Sequence, residues 1–207
     1  IPRGANETPG PAHRRYYRGS ITDNTQEPLF TEGIRANSVR YSPDGQWLAF
    51  LHPGENGPSQ VWVMKSTGGE MMPLTSEPGG ISYFRWHPGG RGIACLTKDA
   101  PTDREQELKK RGYGFIFFEE NLKKNRLILL RFDADWNQTE QVNVEIDGHP
   151  WDFEFDPEGT RIAASVSPEN LVDQRYMFRK IFLIQVASGE ITQASHNEGK
   201  LGNYVFS

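Results

Sequence analysis

Tyr41-Ser42-Pro43-Asp44-Gly45-Gln46-Trp47-Leu48-Ala49-Phe50 decides how the rest of the chain is read. An aromatic residue closes one run, Pro-Asp-Gly interrupts it, and an apolar run starts at once. Pro presets φ at the first turn position, Asp bonds its own backbone, and Gly takes positive φ without penalty. With strand-forming flanks the unit reads as a hairpin. It recurs: Phe84-Arg85-Trp86-His87-Pro88-Gly89-Gly90 leads into Gly92-Ile93-Ala94-Cys95-Leu96, and Phe153-Glu154-Phe155-Asp156-Pro157-Glu158-Gly159 leads into Arg161-Ile162-Ala163-Ala164. Tyr204-Val205-Phe206-Ser207 matches the first half of a fourth copy. The anchoring aromatics Tyr41, Trp86, Phe155 and Phe206 follow one another at intervals of 45, 69 and 51 residues. Repeats of roughly 40–50 residues with several short strands each mark propeller blades. The long interval calls for an insertion of about twenty residues, and one is visible between Lys98 and Glu120.

Composition agrees. The 207 residues include 21 Gly and 14 Pro, and 12% are aromatic, which suits an all-β chain with many turns. Net charge is −4, which weighs against nucleic acid as a partner. Mean hydropathy is −0.66, and no apolar run is long enough for a membrane span. Cys95 is the single cysteine, so no internal disulfide can form. It sits among strand residues and reads as a small buried hydrophobe. Cytoplasmic and periplasmic or secreted settings both suit this composition.

The expected fold is a partial β-propeller of about three four-stranded blades plus flanking single strands, with one short helical insertion. Residues 1–20, rich in Pro, Gly and Arg, form an irregular lead-in. Residues 21–207 form the propeller, with blades at about 34–75, 81–147 and 150–194. Gln26 to Thr31 matches Glu70 to Thr75 in pattern and reads as the outermost strand of a preceding blade. Candidate strands of the second blade include 114–119. Residues 203–207 read as the inner strand of a following blade. Thr102 or Asp103 is placed to cap the inserted helix, with Lys109 and Lys110 in its last turn. In a four-strand meander the connections alternate between the blade's two ends. The Pro-Asp-Gly-type turns and the outer turns Thr67-Gly68-Gly69 and Ala187-Ser188-Gly189 therefore share one face. The longer loops 52–59, 98–113 and 167–178 gather on the other, where recognition usually resides. End blades stripped of their neighbours are expected to expose apolar faces and to invite self-association.

Two longer segments carry a resemblance. Lys110-Arg111-Gly112-Tyr113 is followed by Glu119-Glu120-Asn121-Leu122-Lys123-Lys124-Asn125-Arg126-Leu127. Ser167-Pro168-Glu169-Asn170-Leu171-Val172-Asp173 is followed by Tyr176-Met177-Phe178 and by a strand ending in Ala187-Ser188-Gly189-Glu190. Over roughly residues 21–207 the chain resembles the propeller of the prolyl oligopeptidase family of serine peptidases, on its acylaminoacyl-peptidase-like and dipeptidyl-peptidase-like branch. The Ser-Pro-Asp-Gly repeat alone is also similar to the TolB propeller of the Tol system. Peptidases of this family carry an α/β-hydrolase domain with a Gly-x-Ser-x-Gly elbow. No such motif occurs here, so the family's nucleophile, base and oxyanion donors have no positions in this sequence. The resemblance implies a non-catalytic propeller that gates and helps bind peptide substrates for an α/β-hydrolase domain. The alternative is a ligand- or protein-binding propeller without an enzyme.

The resemblance also implies a use for Glu119 and Glu120. Paired carboxylates can hold a substrate's free α-amino group through charge-assisted bonds, with Arg111 and Tyr113 nearby in sequence. The plainer reading is a strand-end charge pair facing water or Arg126. Asp133-Ala134-Asp135-Trp136-Asn137 imitates the start of a calcium loop, but Gln138 and Val144 stand where an EF-hand needs Gly and Glu. His52, His87, His149 and His196 lack metal-ligand spacing, and His149 reads as a structural hydrogen-bonding residue. No metal or cofactor is expected. Trp47, Trp62, Trp86, Trp136 and Trp151 read as packing between blades.

Overall fold

The computed structural model describes residues 14–54, 57–113 and 122–206. Each Pro-Asp-Gly unit closes the same turn. The N–H groups of Gly45, Gly90 and Gly159 bond the carbonyls of Ser42, His87 and Asp156 at 2.8–3.0 Å. Their φ values are 70°, 90° and 72°. The residue after each anchor fastens the turn with its side chain. Ser42 Oγ accepts the Trp47 N–H, His87 Nδ1 accepts the Gly89 N–H, and Asp156 accepts the Arg161 N–H. Three different side chains thus satisfy turn donors that would otherwise lack partners.

On these turns three antiparallel meanders are built. The first holds β3 (Asn37–Tyr41), β4 (Trp47–His52), β5 (Gln60–Lys65) and β6 (Met72–Pro73). The second holds β7 (Ile81–Trp86), β8 (Gly92–Lys98), β9 (Asn125–Phe132) and β10 (Gln138–Val144). The third holds β11 (His149–Phe155), β12 (Arg161–Ser167), β13 (Lys180–Gln185) and β14 (Ile191–Gln193). Each inner pair shifts register near its start, at Asn37/Arg40, Ile81/Tyr83 and Pro150/Asp152. Such bulges twist a strand locally, and their repetition gives each blade the same form. The chain is all-β, a partial β-propeller.

The core lies between blades. Ala49, Leu51, Val61 and Val63 of the first blade meet Phe84, Ile93, Cys95 and Ile128 of the second. Leu96, Leu127 and Val144 of the second meet Phe153, Ile162 and Ile184 of the third. Strands β4, β8 and β12 are covered on both faces, so they read as unbroken apolar runs rather than alternating ones. Cys95 is fully buried, and burial pushes its thiol well above the usual range. Trp47, Trp86 and Trp136 pack between the first two blades, whereas Trp151 hydrogen-bonds to Ser167 on the loop face.

The ends of the chain depart from expectation. The lead-in is not irregular to residue 20. β1 (Tyr17–Ser20) pairs with β2 (Thr25–Pro28) in a hairpin of its own. Asn24 takes φ 50° in its turn and Arg18 pairs with Glu27 across it. The segment at 26–31 is therefore half of a hairpin, not the outermost strand of a preceding blade. Tyr16, Leu29, Phe30 and Ile34 pack onto Leu48, Phe50 and Met64, the face of the first blade that points away from the second. At the other end, residues 201–206 form no strand. Tyr204 instead donates to Asp152 and lies over the third blade, and Arg161 stacks on Phe206. Beneath it Ser165 and Ala163 are buried. The apolar end faces expected to be bare are thus covered by the chain's own flanks. The candidate strand 114–119 lies outside the described residues.

Candidate functional site

The longer loops do gather on one face, and two of them carry short helices. In the second blade, α1 (Asp103–Lys110) starts at a reciprocal cap. Glu105 N–H donates to Thr102 Oγ1, and Thr102 N–H donates to Glu105 Oε2 at 2.6 Å. Lys123 then ties the helix to the blade, donating to Glu105 at 2.8 Å and to the Ala100 carbonyl at 2.7 Å. That bond with Lys123 is the main reason the Glu105 carboxyl is held below its usual range. In the third blade, α2 (Val172–Met177) fills the connection 167–178, expected as a loop.

The two insertions are joined. Asn170 Nδ2 donates to the Lys123 carbonyl at 2.9 Å, and Asn125 Nδ2 donates to the Pro150 carbonyl at 3.0 Å. His149 is buried at the seam, and its Nδ1 accepts the Asn125 N–H at 3.1 Å. Nε2 therefore carries the ring proton. Burial first, and Lys124 second, lower its pKa to about 4, so the ring is neutral near pH 7. Trp151 meets it edge-to-face at 4.5 Å and donates to Ser167 Oγ at 2.8 Å, while Arg175 of α2 lies 4.8 Å over the Trp151 ring. The structural role expected for His149 holds.

On this braced platform several large apolar side chains face solvent. Val172, Tyr176, Met177 and Phe178 are exposed on and after α2, and Leu108, Tyr113 and Leu122 around α1. Arg111 pairs with Glu107 one helical turn back, and the Tyr113 N–H closes the end of α1 on the Leu108 carbonyl. Arg111 and Tyr113 are thus brought to this face. Glu119 and Glu120 lie outside the described residues. The apolar residues of α2 were not singled out from the sequence. Their signal is the Gly- and Pro-free stretch from Asn170 to Phe178. Among the described residues no Ser or Cys side chain bonds a His ring, and no three His, Cys, Asp or Glu residues cluster to hold a metal. The Asp133 carboxylate is occupied by the N–H groups of Asp135 and Asn137 and by the Asn137 amide, as a turn residue would be.

No family model matches the chain. It is 36% identical over 76 residues to the "Uncharacterized peptidase YuxL" of Bacillus subtilis, a match covering 35% of this chain and 12% of that protein. It is 43% identical over 85 residues to the "Uncharacterized protein YidR" of Escherichia coli, covering 41% and 18%. The matched stretches are therefore a small part of both relatives. Among solved structures, a putative TolB from Agrobacterium tumefaciens superimposes with TM-score 0.61 at 18% identity, covering 88% of this chain and 55% of that one. The acylaminoacyl peptidase of Pyrococcus horikoshii gives TM-score 0.54 at 19% identity, covering 86% and 27%. A prolyl endopeptidase gives 0.58 at 12% identity, covering 88% and 26%. The fold is that of the propellers in these proteins.

Proposed function

We propose that the chain is the non-catalytic propeller segment of a serine peptidase, and that it gates and helps bind peptide substrates for an α/β-hydrolase domain of the same natural protein. What supports this reading is the loop face. Two ordered insertions are tied across adjacent blades, and together they present exposed apolar side chains on a rigid base. Apolar groups held in this way mark interaction surfaces rather than solvated loops. On this reading Arg111, Tyr113, Glu119 and Glu120 belong to the substrate cleft.

The first test is the full-length reading frame. A Gly-x-Ser-x-Gly domain following the propeller is the expected result. In that protein, cutting residues 101–112 back to a short Gly linker shifts the preference for substrate length and leaves the melting temperature nearly unchanged. A large drop in melting temperature with an unaltered length profile would show the insertion to be structural. Replacing Glu119 and Glu120 with Gln raises KM for peptides with a free N-terminus and spares N-acylated ones, because only the former bring an ammonium to the carboxylates. Equal effects on both substrates would rule that role out. A second reading, a ligand- or protein-binding propeller with no enzyme, draws support from the likeness to the putative TolB, which covers 88% of this chain. It is the reading to adopt if the frame closes soon after the last blade with no hydrolase domain.

A further inference from the structure

The two wedges between blades are built alike but filled differently. Between the first and second blades, on the face carrying the tight turns, Trp136 reaches over from the outer hairpin of the second blade. It packs 5.0 Å from Trp47 and 5.7 Å from Trp86 and is nearly buried, with Arg91 stacked 4.4 Å over it. Trp47 opens the second strand of its blade, six residues after the anchor Tyr41. Trp136 holds φ 68° in its hairpin.

Between the second and third blades neither place carries an indole: the outer hairpin is open, and at the other His87 and the Leu130 carbonyl stand 3.2–3.3 Å from where a Cβ of Gly92 would sit. Gly92 stands six residues after the anchor Trp86, where the first blade has Trp47. The outer hairpin of the third blade, Ala187-Ser188-Gly189, has Gly189 as its residue at positive φ, 72°, and a side chain there would meet no atom within 4 Å. Both glycines line a cavity of about 690 Å³. Ordinary packing defects are no larger than a water molecule or so, whereas a cavity of this size is in the range that takes a small organic ligand. The apolar part of its lining is Leu129, Val142, Val144, Phe155, Ile184 and Val186. The His87 ring stands 5.2 Å from Phe155 with both nitrogens engaged, by the Gly89 N–H and the Gly159 carbonyl. The ring therefore offers a face rather than a hydrogen bond. Polar groups share the lining, among them Thr139, Asn143 and Gln185, with Arg131 and Glu140 paired at 3.1 Å.

We propose that this wedge is a binding site for a planar aromatic ligand, one or two fused rings in size, which takes the place that paired indoles fill in the neighbouring wedge. The sister wedge sets the chemistry. The same blade geometry there closes around stacked aromatic rings, edge-to-face, with a cation at the mouth. The site lies on the turn face, away from the loop platform, and stands whether or not a peptidase domain accompanies the chain.

Indole is the probe. Titrated into the whole chain, it raises the melting temperature progressively with concentration, as a ligand of the native state must. It also shifts the backbone amide resonances of Val142, Val144, Ile184 and Val186 in preference to the rest. Cyclohexylmethanol, apolar but saturated, gives a several-fold weaker response. Val142→Trp places an indole in the wedge from a strand position that suits Trp, and it abolishes the indole-dependent rise. Should that variant fail to fold, the resonance map of the unaltered chain decides alone. Absence of any shift at the wedge, an undiminished rise in folded Val142→Trp, or an equal response to the saturated probe overturns the proposal.

Discussion

His149 shows how one buried side chain couples the seam between blades to pH. Its ring is neutral in the folded chain, with a pKa near 4 against about 6.5 when exposed. Between those values the unfolded chain binds the extra proton and the folded chain does not, so stability falls as pH falls. The loss through that window is up to about 3 kcal/mol, at 1.36 kcal/mol per unit. His149→Asn keeps an acceptor for the Asn125 N–H and has nothing to titrate. Urea unfolding at pH 7 and pH 4.5 should show a marked drop in wild type and a flatter response in the variant. Equal drops in the two proteins would assign the sensitivity to other groups. Asp156 is a second buried case. Burial alone would raise its pKa, but bonds from Arg161 and Thr160 outweigh this and hold it low. Asp156→Ala leaves the Arg161 N–H without its side-chain acceptor and should cost about 1–3 kcal/mol, read as a shift in the urea midpoint at unchanged slope.

At the scale of elements, what was legible was whatever the chain repeats. Three Pro-containing turns with a following apolar run located β3, β4, β7, β8, β11 and β12, and the alternating meander put the long loops on one face. A cap candidate at Thr102 or Asp103 and the lysines Lys109 and Lys110 announced α1, and the structure assigns the cap to Thr102. What escaped were elements with no repeat to match. β1 rests on a single hairpin turn at Asn24, and α2 is six residues long with no side-chain cap and no buried residue, so neither capping chemistry nor amphipathic periodicity marked it. The Trp136 hairpin was read as turn residues plus a packing aromatic, both correctly. That Gly189 leaves its own wedge open follows only from comparing blades in space. Trp136 also sets a competition. Trp136→Ala removes the wedge filling and should cost about 3–5 kcal/mol. Trp136→Gly removes the same contacts but relieves a non-glycine residue at φ 68°, and should be less destabilised than Ala by about 1 kcal/mol. Denaturant midpoints of the two variants decide it, and a Gly variant weaker than Ala would mean the positive φ carries little strain.

For the molecule as a whole, the decisive matter is how a row of three blades ends. A blade buries both faces, so an end blade presents apolar surface unless something covers it. Sequence periodicity treated the flanks as fragments of further blades and therefore left both end faces bare. The flanks act differently. The first blade's outward face, with Leu48 and Phe50 fully buried, is closed by Tyr16, Leu29, Phe30 and Ile34, and Phe30 meets Phe50 edge-on at 4.8 Å. The third blade's outward face carries Ala163, Ser165 and Asp152 together with Leu183 and Ile181, which stand opposite Ala163 and Ser165 across β12 and β13. Tyr204 and Arg179 close over it through bonds to Asp152. The two ends are thus unequal: one is sealed by a hydrophobic cluster, the other by hydrogen bonds over a face that mixes polar and apolar side chains. Removing residues 1–34 should therefore bare Leu48, Phe50 and Met64 and drive self-association. Removing residues 199–207 should promote association less, since the face it uncovers mixes Asp152 and Ser165 with Leu183 and Ile181. Sedimentation velocity at several concentrations compares the two truncations with the whole chain. Association in the second truncation but not the first would place the adhesive surface at the third blade and reverse the assignment.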